Sequence, residues 1–194
     1  MNDQYQDELK TGLDSQWACD PLESFCRRHG RPAPDCQILN VADIPSPYHD
    51  LLVHKDDMTP ILQAYHKQPL VVRVLDKDMD RNWLVREVVL VGELDQVVAE
   101  YGAIRIRLDR FDADPRGLIT ECRQPLGAIL EQFQIKHQSR PTQYFRVEAD
   151  HVMQDTLSAS VGQWLFGRRN ILSDAEGELL ALVVEVLPPD LVPR

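Results

Sequence analysis

Two charged side chains stand in stretches where nearly every neighbour is apolar. Arg86 lies in the segment 83–91, and Glu185 is the only polar residue of the segment 179–187. A buried ion without a partner costs several kcal/mol, so each charge needs one. A guanidinium is a planar, forked donor that suits a carboxylate. A buried carboxyl group can contact a hydroxyl or transfer a proton. Arg86 and Glu185 are therefore the first candidates for a ligand site.

Two interpretations of these charges stay open at this point. In the first, Arg86 pairs with Glu185, or Glu87 pairs with another arginine, and the pairs are only structural. In the second, the domain encloses a polar pocket. Arg86 then binds a ligand carboxylate, and Glu185 faces a ligand hydroxyl or takes part in proton transfer. For Glu87, the structural role is favoured.

The other charged residues are predicted to be structural. Arg73 resembles an edge-strand arginine whose charge reaches solvent, and Arg105 and Arg107 are predicted on the wet face of a strand. Neighbouring strand residues point to opposite faces, so at most one of the residues 168–169 could face inward. A solvated turn is favoured for that pair. The acidic pair 56–57 is predicted to cap a helix.

Known catalytic and metal-binding signatures are missing from the sequence. It has no GxSxG elbow, no Gly-rich phosphate loop and no HExxH. We therefore predict no metal and no cofactor. The four cysteines show no CxxC spacing and are predicted to be reduced, structural thiols: Cys19, Cys26, Cys36 and Cys122.

Composition narrows the class of protein. The 194 residues include 21 Lys plus Arg against 31 Asp plus Glu, a net charge of −10. This acidity argues against general binding to nucleic acid or to anionic membranes. The polar, acidic start and the lack of a long apolar run predict a cytoplasmic protein without membrane insertion. The expected partner is a small molecule, and the expected assembly is a monomer or a weak homodimer.

The elements that must position Arg86 and Glu185 are strands. Alternating or continuous apolar runs predict strands at 70–75, 83–91, 97–108, 143–147, 168–173 and 178–187. Helical spacing and end signals predict helices from Asp20-Pro21 to Gly30, from Thr59-Pro60 onward, at 125–133, and around 157–165 before Gly167. The strands are joined mostly by short links, which favours antiparallel pairing. We predict an α+β fold with a single antiparallel sheet of about six strands and flanking helices. Residues 1–15 are expected to be a loose tail, and 16–194 a single domain.

Five short motifs, in this order, resemble those of the bacterial chorismate lyase family. They are Asp57-Met58-Thr59, the strand from Trp83 to Leu90 with Arg86 and Glu87, Pro125-Leu126-Gly127, Gly167-Arg168-Arg169, and Val184-Glu185-Val186-Leu187-Pro188. The resemblance covers roughly residues 51–189. It departs from the family pattern in the third strand, where the usual Gly-Arg is Gly102-Ala103.

The resemblance implies a chorismate lyase-like fold with an enclosed internal ligand pocket. The implied activity is the cofactor-independent elimination of pyruvate from chorismate to give 4-hydroxybenzoate. Arg86 would bind the ring carboxylate, and Glu185 would contact the oxygen end of the ring and assist proton movement. Backbone groups at Met58 and Leu126 would complete the carboxylate contacts. Chorismate and the aromatic product would be the ligands.

A second hypothesis uses the same fold without chemistry. The chorismate lyase-like fold also serves as the small-molecule-sensing domain of some bacterial transcription regulators. In that case the pocket would bind a phenolic or carboxylic acid as an effector. The sequence shows no evident helix-turn-helix before Leu51, and its acidity disfavours contact with DNA.

Overall fold

The architecture is one antiparallel sheet with helices on both faces. The computed structural model describes residues 19–191, in which seven strands form a single sheet of order β1-β5-β6-β7-β4-β3-β2. This confirms the predicted α+β class, with one strand more than expected. The predicted tail at 1–15 lies outside the described residues.

The strands, in chain order, all pair antiparallel to their neighbours. They are β1 Cys36–Leu39, β2 Leu70–Met79, β3 Trp83–Gly92, β4 Val98–Arg107, β5 His137–Glu148, β6 Trp164–Asp174 and β7 Leu179–Val186. The central strands β3, β4 and β7 are buried on both faces over most of their length, because helices cover both sides.

Six short helices within residues 19–191 cover the sheet. They are α1 Leu22–Arg28, α2 Tyr48–Leu52, α3 Met58–His66, α4 Ala113–Glu121, α5 Leu126–Gln132 and α6 His151–Leu157, with single 3-10 turns at Val41–Asp43 and Leu108–Arg110. None of the helices in residues 19–191 is long and apolar enough to cross a membrane.

The two faces of the sheet carry separate cores. One face packs beneath α1 and α6 and includes Phe25, Val89 and Met153. The opposite face packs beneath α3, α4 and α5 and includes Leu62, Ile119 and Ile129. Side chains alternate along β3, so Arg86 belongs to the second face and Glu87 to the first.

A glycine lets two central strands approach closely. Gly102 of β4 pairs with Glu185 of β7. A Cβ atom at Gly102 would collide with the backbone oxygen of Val184, so no larger residue fits without moving a strand. The same position leaves space on the face that carries Glu185.

One predicted element is wrong. The apolar residues at 157–165 have helical spacing, but the helix α6 ends at Leu157 and the strand β6 begins at Trp164. Gly167 does not end a helix; it lies inside β6, where its missing side chain makes room for Phe145 of β5. The expected hairpin around 175–177 is confirmed by the pairing of β6 with β7.

The start of the described chain also differs from the prediction. Pro21 occupies the N-cap position of α1, which has no side-chain cap within the described residues, and Asp20 instead pairs with Arg105. The structure joins Cys19 to Cys36 in a disulfide, which corrects the prediction that all four cysteines are reduced. Cys26 and Cys122 are free and buried.

Candidate functional site

Arg86 is a buried cation without an acidic partner among the described residues. Its residue is 2% exposed. The Nη2 atom donates to the backbone oxygen of Gln124 at 3.3 Å, but Nε and Nη1 have no hydrogen-bond partner within residues 19–191. Burial lowers the pKa of Arg86, and the neighbouring Cys122 thiol opposes that shift. An arginine in this state retains donors for an anion.

Glu185 has a partner, but not the predicted one. It faces Arg168 across the β6–β7 pair, and its Oε2 accepts a hydrogen bond from Arg168 Nε at 2.5 Å. The Arg86–Glu185 ion pair, one of the two interpretations of the sequence, is therefore not formed. Glu185 is 5% exposed, so neither it nor Arg86 faces bulk solvent.

Arg168 is fully buried, which corrects the prediction of a solvated turn. Besides Glu185, its guanidinium donates to three backbone oxygens: Leu52 at 3.2 Å, His54 at 3.3 Å and Asp56 at 3.2 Å. Arg168 thus ties the segment before α3 to the middle of the sheet. Burial, followed by the charge of Arg168, lowers the pKa of His54 in this segment.

Glu100 is a second buried carboxyl group on the same face, and the sequence analysis did not single it out. It is 5% exposed, and its Oε2 has no hydrogen-bond partner among the described residues. Burial and the charge of Glu185 raise the pKa of Glu100 well above its usual range, and Arg168 opposes this in part. The available signal was the alternation of β4, which places residue 100 on the inner face with Gly102 and Ile104.

Arg86, Glu100 and Glu185 border one cavity of about 70 Å³ between the sheet and the helices α3 and α5. All four residues that the sequence analysis assigned to a site line it: Met58, Arg86, Leu126 and Glu185. Glu100 and Asn170 add polar groups to the wall, and the Oδ1 atom of Asn170 has no partner within residues 19–191. The predicted residues are thus brought together, although their roles stay predictions.

The helices α3 and α5 both begin at the cavity. Asp57 occupies the N-cap position of α3, but its side chain makes no capping hydrogen bond within the described chain. Its Oδ2 instead lies 2.9 Å from Nε2 of His137. This hydrogen bond, partly opposed by burial, raises the pKa of His137. The capping role predicted for the acidic pair is therefore wrong for the side chain of Asp57.

The remaining charged residues fall outside the cavity. Arg73 is exposed on the edge strand β2 and donates to Gln96, as predicted. The prediction that Arg105 lies on a solvent-exposed face is wrong. Its side chain is 11% exposed and pairs with Asp20 at 3.1 Å. Glu87 has the structural role predicted for it, because it accepts from Tyr101 at 2.5 Å and from Arg31 at 3.2 Å.

No donor cluster for a metal is present in the part of the chain that the structure describes, meaning no group of three suitable His, Cys, Asp or Glu side chains. What the geometry offers is a cavity wall with a buried guanidinium that has two donor atoms without partners in residues 19–191, a carboxylate paired with an arginine, and a buried carboxyl group whose pKa is raised. This set can bind and orient a small anion.

Comparisons with known proteins give matches only at the level of structure. No family model matches the chain, and no curated protein matches it. The crystal structure of PhnF from Mycobacterium smegmatis matches with a TM-score of 0.56 at 13% identity, over 95% of this chain and 94% of that chain. The effector domain of PhnF gives a TM-score of 0.54 at 13% identity, over 72% and 92%. A GntR-family transcriptional regulator from Bacillus cereus gives a TM-score of 0.45 at 7% identity, over 61% and 92%.

These matches correct one prediction. The sequence analysis expected an enzyme, a chorismate lyase, whereas the solved structure that shares the fold over 72% of this chain is an effector domain, that of PhnF. The prediction of an enzyme is therefore wrong. At 13% identity, the similarity shows the fold alone, which this chain shares with the effector domain of PhnF.

Proposed function

We propose that this protein is an effector-sensing domain that binds a phenolic or carboxylic acid in the cavity and does no chemistry on it. The observation that carries the proposal is Arg86, a buried guanidinium that lines the cavity with Nε and Nη1 unpartnered within residues 19–191. A buried cation without a counter-ion is costly, and a ligand carboxylate removes that cost.

The other predicted residues fit around such a ligand. In this proposal, Arg86 binds the carboxylate and the chain at Met58 and Leu126 borders it, because both residues line the same cavity. Glu185 faces the far end of the ligand. Arg86 pairs with Ile104 of β4, and Glu185 pairs with Gly102 of the same strand. From the usual strand spacings, the Cα atoms of Arg86 and Glu185 are therefore about 12 Å apart. Two long side chains and a small acid between them span that distance.

The size of the cavity adds a mechanical requirement. A cavity that admits benzene has about 150 Å³, whereas this one has about 70 Å³. In this proposal, α3 and α5 move away from the sheet to admit a ring. A ligand that favours the wider state shifts the population of the two states, which is what a sensor requires.

The fold comparison supports the same proposal. The effector domain of PhnF shares the arrangement of the chain at a TM-score of 0.54. In this proposal, residues 16–194 act as one ligand-binding domain. The lyase mechanism also loses its proton donor, since Glu185 is paired with Arg168.

The proposal is tested by thermal unfolding with benzoate or 4-hydroxybenzoate. A ligand at one hundred times its Kd that binds only the native state adds about 2.7 kcal/mol to stability. We expect at least one of the two acids to raise the Tm of the wild type, and Arg86→Met to abolish that rise. Arg73→Met, at an exposed arginine, is the matched control. The proposal is wrong if neither acid binds, or if Arg86→Met binds as well as the wild type.

A further inference from the structure

The cavity has an acidic end that the proposed ligand contacts do not explain. Glu100 lines the cavity together with Glu185. Along β4, Glu100 lies two residues from Gly102, which pairs with Glu185, so both side chains rise from the same face. Gly102 keeps the space beside them open: a Cβ there would lie 3.4 Å from Oε1 of Glu100.

The positive charge at this end serves one carboxylate, not two. Arg168 uses Nε for Glu185 and its remaining groups for backbone oxygens at Leu52, His54 and Asp56. The charged groups that face Glu100 are Glu185 of β7 and Arg168 of β6, and β3 contributes the apolar Leu90 opposite Glu100. Two carboxylates that share one buried cation cannot both stay ionised, so the one without the hydrogen bond to arginine keeps its proton.

A neutral carboxylic acid differs from a carboxylate in what it can bind. It carries an O–H donor, and a buried donor without an acceptor is costly. Oε2 of Glu100 is buried and has no partner in residues 19–191. A ligand whose carboxylate is bound by Arg86 can supply the acceptor that Glu100 lacks. At the usual strand spacings, the Cα atoms of Arg86 and Glu100 are about 14 Å apart along the β3–β4 pair.

We propose that Glu100 contacts the ligand as a neutral acid and donates a hydrogen bond to an uncharged oxygen at the end opposite the ligand's carboxylate. The cavity then selects monocarboxylic acids with a distal hydroxyl or carbonyl oxygen and rejects dicarboxylic acids. This inference rests on the proposed function. It adds a specificity-determining residue that the resemblance to chorismate lyases did not include.

The experiment compares four probes by calorimetry: benzoate, 4-hydroxybenzoate, terephthalate and 4-(aminomethyl)benzoate. The proteins are the wild type, Glu100→Gln, Glu100→Leu and the control Glu93→Gln, at an exposed carboxylate of the β3–β4 turn. We expect the wild type to bind 4-hydroxybenzoate about tenfold more tightly than benzoate, the value of one hydrogen bond. Terephthalate should bind more weakly than benzoate, because its second carboxylate would be buried beside Glu185, which already uses the charge of Arg168.

The variants separate donation from packing. Glu100→Gln keeps a donor and should bind 4-hydroxybenzoate within about threefold of the wild type, whereas Glu100→Leu should lose the tenfold advantage and keep benzoate binding. Glu93→Gln should change nothing. Tightest binding of 4-(aminomethyl)benzoate by the wild type would show an ionised Glu100 and overturn the inference.

A measurement without ligand tests the protonation state. A carboxyl group that holds its proton more tightly in the folded state stabilises the fold less as pH rises above the unfolded value of about 4.5. The Tm advantage of Glu100→Gln over the wild type should therefore grow between pH 5 and pH 8. No growth overturns the inference. Arg86-dependent binding of benzoate with no effect of Glu100 variants overturns it while sparing the proposed function, and failure of every probe to bind overturns both.

Discussion

Arg168 and Glu185 face each other across the β6–β7 pair, and Nε of the arginine lies 2.5 Å from Oε2 of the glutamate. This pair decides how the cavity is charged. Because Glu185 is neutralised by Arg168, the positive charge of Arg86 is left for a ligand. Arg168 also donates to backbone oxygens in the segment before α3. A single side chain therefore links the sheet to the chain that leads into the helix α3.

The first prediction concerns the stability that Arg168 provides. Replacing it by methionine leaves Glu185 buried without its cation, which typically costs about 3–5 kcal/mol. We expect Arg168→Met to lower the free energy of unfolding by that amount, as measured by urea denaturation. Arg140→Met, at an exposed arginine, should stay within about 0.5 kcal/mol of the wild type.

A double variant sharpens this test. Adding Glu185→Leu to Arg168→Met removes the stranded charge, so the double variant should be more stable than Arg168→Met alone. If the two losses simply add, the ion pair is not what holds this region together.

The second prediction concerns pH. The hydrogen bond to Asp57 raises the pKa of His137. A histidine whose pKa is higher in the folded state gives its full stabilisation below the unfolded value of about 6.5. That stabilisation is lost as pH rises through the folded value. We expect wild-type stability to fall between pH 6 and pH 8 by up to about 1 kcal/mol more than that of His137→Gln.

The control for this pH effect is His151→Gln, at an exposed histidine at the start of α6. Its stability should follow the wild-type profile. Parallel profiles for the wild type and His137→Gln, measured by urea denaturation at each pH, would show that the pair with Asp57 contributes nothing.

The third prediction compares two glycines. At Gly102 an added Cβ would collide with the backbone of β7, whereas at Gly117, inside α4, nothing lies within 4 Å. Gly102→Ala should therefore destabilise the protein by about 1–3 kcal/mol, the usual cost of overpacking. Gly117→Ala should stabilise it by about 0.5–1 kcal/mol through the helix. Equal effects from the two changes would contradict the close approach of β4 and β7.

Much of the fold followed from apolar patterning, because the central strands are buried on both sides. Arg86 and Glu185 were found for the same reason: a lone charge is conspicuous in an apolar strand. What the pattern could not supply was the pairing, since cross-strand partners are set by register. Arg168 was missed because it follows Gly167 and adjoins Arg169, a combination typical of a solvated turn.

Two other differences have local causes. The segment 157–165 has apolar residues at helical spacing. In the structure these residues lie in three different places: the end of α6, a turn and the start of β6. The strand β1 is only four residues long and follows a proline-rich stretch. Its extended conformation therefore depends on pairing with β5 and not on the preferences of its own residues.

The Cys19–Cys36 cross-link has a practical consequence for every denaturation experiment above. The two cysteines are 17 residues apart, and closing a loop of that size restricts the unfolded chain by about 3 kcal/mol in the chain-entropy description. Adding a reductant such as dithiothreitol should therefore lower the urea midpoint of every variant by a similar amount. The urea midpoints of two variants can therefore be compared only when all samples are in the same oxidation state.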